Sequence, residues 1–337
     1  MLLTVIALAL FFDYINGFHD AALSIATVVS SKVLNPWQAI LWAAIFNFAA
    51  FFIFRYIIGE YRIAHTIAHF ISSEFITLPV IFSGLVAAIL WNLLTWWFGI
   101  PSSSSHTLLG GFVGAALAHA GGWTSHGETV INYTYVVPTF LFIVAAPLIA
   151  TFLALIITIL VVNLFRKSHP YRAEKGFRRI QMITSALLSL AHGGNDAQKV
   201  LGIIAVALIA HGDIDSLAHI PAWVPLSCFA VIALGTLSGG WRIVKTMDTR
   251  ITKLNSVEGV CAETAGVATL FLTQAFGIPV STTHTITGAI IGVGATRRMS
   301  AVRWGVTIQL LWAWILTIPI SAGLAALVYG VLTLFSH

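Results

Sequence analysis

Long apolar runs dominate this chain, and the polar residues that interrupt them are of two kinds: short connections between runs, and clusters set inside a run. A membrane-crossing helix takes about 20 apolar residues. On that measure the pattern predicts spans over 1–30, 37–58, 138–165, 180–210 and 223–240, with a last span ending near residue 335. The first and fourth carry polar clusters at mid-length, Asp13, Asn16, Gly17, His19 and Asp20 in one and residues 192–196 with Lys199 in the other. Both read as broken helices. Residues 60–74 are polar and amphipathic, which predicts a segment lying along the interface. Two further units, 78–120 and 257–294, read as apolar arm, polar tip and apolar arm: helical hairpins whose arms either cross or dip in and return.

The tips are copies of one another. Residues 98–107, Phe-Gly-Ile-Pro-Ser-Ser-Ser-Ser-His-Thr, return at 276–285 as Phe-Gly-Ile-Pro-Val-Ser-Thr-Thr-His-Thr; carried on to Gly114 and Gly292, nine of seventeen positions agree at an offset of 178. Duplication divides the chain into two halves, 1–165 and 180–337, joined by a basic cytoplasmic linker, 166–179, where six basic residues face Glu174 alone. Each half makes an odd number of net crossings, so the second enters the membrane inverted. Charge agrees: with both termini outside, fourteen Lys and Arg residues fall inside and only Arg55 and Arg62 outside. The expected fold class is an all-α polytopic membrane protein, an inverted-topology repeat with broken helices and two hairpins carrying Ser/Thr tips.

Composition narrows the class. With 58% hydrophobic and 9% charged residues and a mean hydropathy of +0.93, the 337 residues exclude an ordinary soluble domain, in which about a quarter are charged. The net charge of +5 sits in the connections, so it speaks of topology and not of nucleic acid. Cys228 and Cys261 lie in apolar runs and indicate neither a disulfide framework nor a thiolate metal site. The first twelve residues have no basic start and no small-residue cleavage site, and read as half a span, not as a signal peptide.

Chemistry concentrates in the clusters. Pro101 and Pro279 favour a break just before a new helix, which puts Ser103, Ser104 and Ser105, and Ser281, Thr282 and Thr283, at fresh helix N-termini. There free N–H groups, the helix dipole and the hydroxyls favour an anion; the plainer role is capping of their own helices. Asp20 and Asp196 precede the tip histidines, His106 and His284, by 86 and 88 residues. A carboxylate at the bilayer midplane implies a cation, proton or donor as partner. The two histidines suit proton carriage, substrate contact or holding the tip in shape, the last being preferred. Gly110/Gly114 and Gly288/Gly292 are helix-packing spacings. Glu263, in the arm before the second tip, suits a cation or a capped or snorkelling side chain.

Five stretches, Asn16-Gly-Phe-His-Asp20, Pro101-Ser-Ser-Ser-Ser-His106, His192-Gly-Gly-Asn-Asp-Ala-Gln-Lys199, Trp241-Arg-Ile-Val-Lys-Thr-Met247 and Pro279-Val-Ser-Thr-Thr-His284, resemble the PiT family of inorganic phosphate transporters over nearly the whole chain. The resemblance implies secondary transport of phosphate with a coupling cation and a site built from the Asp motifs and the tips. Substrate is then expected at Asp20, Ser103, Ser104, Ser105, Asn195, Asp196, Ser281, Thr282 and Thr283. The coupling cation is expected at His19, Asp20, Asp196 and Glu263, with Lys199, His106 and His284 in support. His19 stands where sodium-coupled members carry Asn and is similar to the proton-coupled bacterial branch, associated with neutral metal-phosphate complexes. Leu23 and Asp248 depart from the family, which has Asn at the first place and a small residue at the second.

The reading is a phosphate symporter of the cytoplasmic membrane, not an enzyme, with no cofactor beyond its coupling cation: a proton, with sodium the alternative and a divalent metal carried with phosphate left open. A homodimer is left open as well. Two carboxylates, phosphate and only Lys199 to offset them leave a negative site, so a cation must join. Sulfate is the nearest rival, and a protonated phosphate, unlike sulfate, can donate to a carboxylate. An anion channel or an intramembrane Ser/His/Asp hydrolase fits less well, since a hydrolase needs one nucleophile and the polar tip is repeated.

Overall fold

The computed structural model describes residues 1–125, 127–239, 254–297 and 304–335 and, within them, all side chains but those of Leu23, Val306, Gln309 and Leu310. The 241–247 motif, Asp248, Arg298 and Arg303 lie outside the described residues. The apolar runs become helices: α1 (Leu2–Ser30), α2 (Pro36–Phe52, continued as a π-turn over Ile53–Ile58), α3 (Arg62–Ala68), α4 (Leu78–Trp97), α5 (Ser104–Ala120), α6 (Tyr133–Phe165), α7 (Pro170–His211), α8 (Trp223–Ser238), α9 (Ser256–Ala275), α10 (Thr282–Arg297) and α11 (Trp304–Leu334). Five of these segments, Leu2–Ser30, Pro36–Ile58, Leu78–Trp97, Tyr133–Phe165 and Leu311–Leu334, are long and apolar enough to cross a membrane. Beyond helices, the described residues hold one small hairpin, Thr124–Ser125 with Glu128–Thr129.

Two expectations change. The polar clusters do not break their helices: α1 runs unbroken through Asp13 to Asp20, and α7 through His192 to Lys199. None of those side chains prevents helix formation, and Gly17, Gly193 and Gly194 are tolerated because they sit at helix crossings. A Cβ at Gly17 would stand 2.3 Å from Ile232 O, and one at Gly193 would stand 2.7 Å from Asn47 O. The breaks fall only where Gly-x-Pro dictates them. Gly99 and Gly277 adopt φ of 65° and 67°, and the new helices start at Ser104 and Thr282, as expected. The second change concerns residues 60–74. Their one α-helix, α3, buries Ile63, Ala64, Thr66 and Ile67 instead of floating at the interface. It packs on α7, and Thr66 Oγ1 donates to Gly277 O at 2.7 Å, tying α3 to the bend of the second hairpin.

Helices of the two halves interlock. The α5 glycines face α11, where a Cβ at Gly114 would stand 2.2 Å from Ala322 O; the α10 glycines face α6, where a Cβ at Gly292 would stand 2.2 Å from Thr151 O. The expected small-residue spacing therefore falls at close helix contacts. Replacing Gly114 or Gly292 by leucine should lower stability by about 1–3 kcal/mol or more through overpacking, read as an earlier thermal unfolding of the purified protein; unchanged unfolding would show that the contact yields. Outward faces are apolar, with Leu141, Val144, Phe152 and Leu160 of α6 all more than half exposed, as suits a surface solvated by lipid.

Candidate functional site

Both tips begin with the same local chemistry. Ser103 Oγ accepts from His106 N at 3.2 Å and Ser281 Oγ from His284 N at 3.2 Å, so these two hydroxyls cap their own helices. The next residue in each tip reaches the aspartate of its own half: Ser104 Oγ donates to Asp20 Oδ2 at 2.8 Å, and Thr282 Oγ1 to Asp196 Oδ2 at 3.3 Å. The third residues join tip to tip. Ser105 Oγ donates to Val280 O and Thr283 Oγ1 to Ser102 O, both at 3.3 Å. Each contact has its counterpart at the offset of 178 in the tips and 176 in the aspartates. His106 and His284 meet ring to ring, centroids 4.6 Å apart, and His284 stacks on Trp314, whose Nε1 donates to Pro101 O at 3.3 Å.

The two carboxylates differ in what neutralises them. Asp20 Oδ1 is 2.8 Å from Nδ1 of His19, whose Nε2 is 3.3 Å from Thr95 Oγ1. Asp196 Oδ1 receives Lys199 Nζ at 2.6 Å, and the same ammonium donates to Ser105 Oγ at 2.5 Å and Val280 O at 2.8 Å. Lys199 thus pins both tips to α7. His192 Nε2 stands 3.2 Å from Asp196 Oδ2, off the line of a hydrogen bond. Asp20, His192 and Asp196 offer ligand atoms within 4.8 Å of one another, a donor set that suits a cation. Every one of these side chains is at most 3% exposed. Asn195 is fully buried with neither amide atom partnered, and His106 Nδ1 is unpartnered too. Buried polar atoms without partners are costly unless a ligand or water meets them.

Of the expected residues, His19, Asp20, Asp196, Lys199, the tip hydroxyls and the tip histidines come together, with Asn195 on the same helix turn as Asp196. Glu263 belongs to a separate cluster. It is fully buried, accepting from Thr27 Oγ1 at 2.6 Å, from Gln181 Nε2 at 3.1 Å and from Thr184 Oγ1, so it does not snorkel. Thr27 lies seven residues beyond Asp20 on α1, about 10 Å at the rise of a helix. Sequence reasoning left out His192 and Thr95. His192 was visible inside its motif, whereas Thr95 is a lone hydroxyl in an apolar arm and gave no signal. Removing the tip-to-aspartate bonds by Ser104→Ala and Thr282→Val is expected to weaken phosphate binding by about 0.5–1.5 kcal/mol each, measured by titration of the purified protein. Unchanged affinity in both would reduce the tips to caps.

A mainly helical chain with five segments able to cross a membrane, whose described centre is two facing hydroxyl-bearing hairpin tips over a buried carboxylate pair, has the makeup of a polytopic membrane transporter. The model of the phosphate transporter family matches residues 16–325. The chain belongs to that family. It is 51% identical over 330 residues to a protein of Rhizobium meliloti (strain 1021) named "Probable low-affinity inorganic phosphate transporter", covering 98% of this chain and 96% of that one. A protein of the same name from Bacillus subtilis (strain 168) is 42% identical over 334 residues, with 98% and 96% covered. A solved structure described as "The sodium-dependent phosphate transporter" superimposes with a TM-score of 0.85 at 24% identity, covering 99% of each chain, and shares the fold.

Proposed function

We propose that this chain is a proton-coupled symporter of inorganic phosphate in the cytoplasmic membrane. The observation that carries the reading is the tip contact itself. Ser104 and Thr282 already donate to the two aspartates, and Lys199 ties both tips to Asp196, so parting or closing the tips makes or breaks the site as a unit. The paired contacts support two related halves, 1–165 and 180–337, about the 166–179 linker, and the placement of fourteen Lys and Arg against two supports their inversion with both termini outside. Phosphate replaces the tip-to-tip bonds by taking hydroxyl and N–H donors at the two helix N-termini, and a protonated phosphate oxygen donates to a carboxylate, which sulfate cannot do. Asn195 supplies the remaining amide.

Charge demands the co-ion. Asp20 and Asp196 against Lys199 leave one negative charge, and phosphate adds one or two more; a dry site does not hold that sum. The His19 imidazole, with Nδ1 2.8 Å from Asp20 Oδ1, offers a ring nitrogen able to carry a proton beside the carboxylate. The Asp20, His192 and Asp196 donor set favours a second reading, in which sodium or a divalent metal enters with phosphate. Proteoliposome uptake of labelled phosphate, with pH and sodium gradients imposed separately, decides between them. Uptake that rises as outside pH falls and ignores exchange of sodium for choline is expected; uptake driven by sodium alone at equal pH removes the proton.

A further inference from the structure

One face of α1 is polar along almost its whole length. Asp13, Asn16, Asp20, Ser24, Thr27 and Ser31 follow at steps of three or four residues, which places them on one stripe of the helix, and none is more than 9% exposed. The inner end of the stripe is satisfied, Thr27 by Glu263 and Ser31 by Gln181 at 2.8 Å. The outer end is not. Both carboxylate oxygens of Asp13 and Oδ1 of Asn16 are buried without a hydrogen-bond partner, as is Ser24 Oγ. An ionised carboxylate in such a place, with neither cation nor donor, costs several kcal/mol. Asp13 therefore has to meet a positive charge or a proton in some part of the cycle, and the tip site described above makes no use of it.

Asp13 is seven residues from Asp20, about 10 Å along the helix, and α1 packs against α7, which carries Asp196. Cys228 of α8 is buried in the same hydrophobic cluster as Phe12 and Ile15, which flank Asp13 on α1, and Tyr61 packs against that cluster. The Tyr61 hydroxyl is buried and unpartnered, and Tyr61 lines a surface cavity of about 360 Å³ with Arg55, Glu60, Arg62 and His65. Of the helices packed on α1, α7 brings His192, Asp196 and Lys199 and α8 brings Cys228; α9 carries Glu258 and Glu263 and α10 carries His284 and Arg297, while α2 (Pro36–Phe52) and α4 carry no ionisable group. A metal ion at Asp13 would want several oxygen ligands, and no hydrogen-bonding group reaches its carboxylate. A proton needs only the carboxylate.

We infer that Asp13 is a proton-accepting station of the transport cycle, set between the Tyr61 cavity and the Asp20–Asp196 centre, which takes up the coupling proton and exchanges it with that centre along the α1 stripe. The inference rests on the proton-coupled reading for its place in transport, but its protonation can be read without any transport. Asparagine imitates the protonated acid, so an Asp13→Asn carrier still turns over when loaded but cannot shed the proton. In proteoliposomes this variant is expected to exchange internal for external labelled phosphate like the parent protein, while net uptake driven by a pH gradient falls by about 5–150-fold, the range of ordinary coupling between sites. Asp13→Glu restores net uptake. In infrared difference spectra of the lipid-reconstituted protein, a carboxylic-acid band that grows on acidification is expected to be missing from Asp13→Asn and displaced in Asp13→Glu.

Parent-like pH-driven uptake in Asp13→Asn would overturn the inference, as would an infrared band that the substitution leaves in place. Loss of exchange together with uptake in both variants would overturn it too, by making Asp13 a structural residue. Should Asp13→Asn fail to fold, Asp13→Glu decides: a displaced pH profile of uptake supports the station, and an unchanged one removes it. Sodium-driven uptake by the parent protein would defeat the proton-coupled reading instead, and the infrared arm would then decide on Asp13 alone.

Discussion

Asp196→Asn is expected to abolish phosphate uptake and also to destabilise the protein by about 3–5 kcal/mol, the cost of removing one partner from a buried ion pair. Asp196 is fully buried, and Lys199 Nζ lies 2.6 Å from it with only a serine hydroxyl and a backbone carbonyl as further acceptors. Without the carboxylate, the ammonium is left in a dry site with no hydrogen-bonded partner of opposite charge. The double variant Asp196→Asn/Lys199→Met removes the stranded charge, so its thermal unfolding is expected to return most of the way to the parent while uptake stays absent. The measurement pairs unfolding of the purified protein with uptake in proteoliposomes. A single variant as stable as the parent would show that Lys199 finds water, and normal uptake would take Asp196 out of the mechanism.

Much of this arrangement was legible in the sequence because it is written there twice. The tip repeat gives the breaks and the helix starts, since Gly-x-Pro and a following hydroxyl act locally; that Ser104 and Thr282 each meet the aspartate of their own half is visible only in the structure. The glycine spacings point to two of the close helix contacts. What stayed hidden depends on contacts between distant elements. Continuity of α1 and α7 is not legible because polar clusters inside apolar runs look like breaks, although Asp, Asn and His do not prevent a helix whose polar segment is buried among other helices. The burial of α3 was missed because its polar residues suggested an interface, while Thr66 and Gly277 come together only through the tertiary fold. Glu263 was visible as a residue, but its cluster with Thr27, Gln181 and Thr184 draws on three helices. Asp13 was visible only as a polar residue within a run; what singles it out is the absence of any hydrogen-bond partner.

Asp20→Asn is expected to abolish coupled uptake as completely as Asp196→Asn, yet to leave the fold within about 1 kcal/mol of the parent, because only ordinary hydrogen bonds change. The neighbours of Asp20 are a serine hydroxyl at 2.8 Å and the His19 imidazole at 2.8 Å. Ser104 can donate to an amide oxygen as it does to a carboxylate, and the amide offers both a donor and an acceptor to the His19 ring nitrogen, so no hydrogen-bonding group is left without a partner. What the substitution does remove is one of the two negative charges that call a cation into the site. Phosphate, an anion, is then received with less repulsion, and its binding is expected to persist while its dependence on pH weakens. Binding titrations at several pH values, set beside uptake under a pH gradient, read the two effects separately. Loss of binding in step with uptake would make Asp20 a phosphate ligand first, and unaltered uptake would leave coupling to Asp196 and its partners alone.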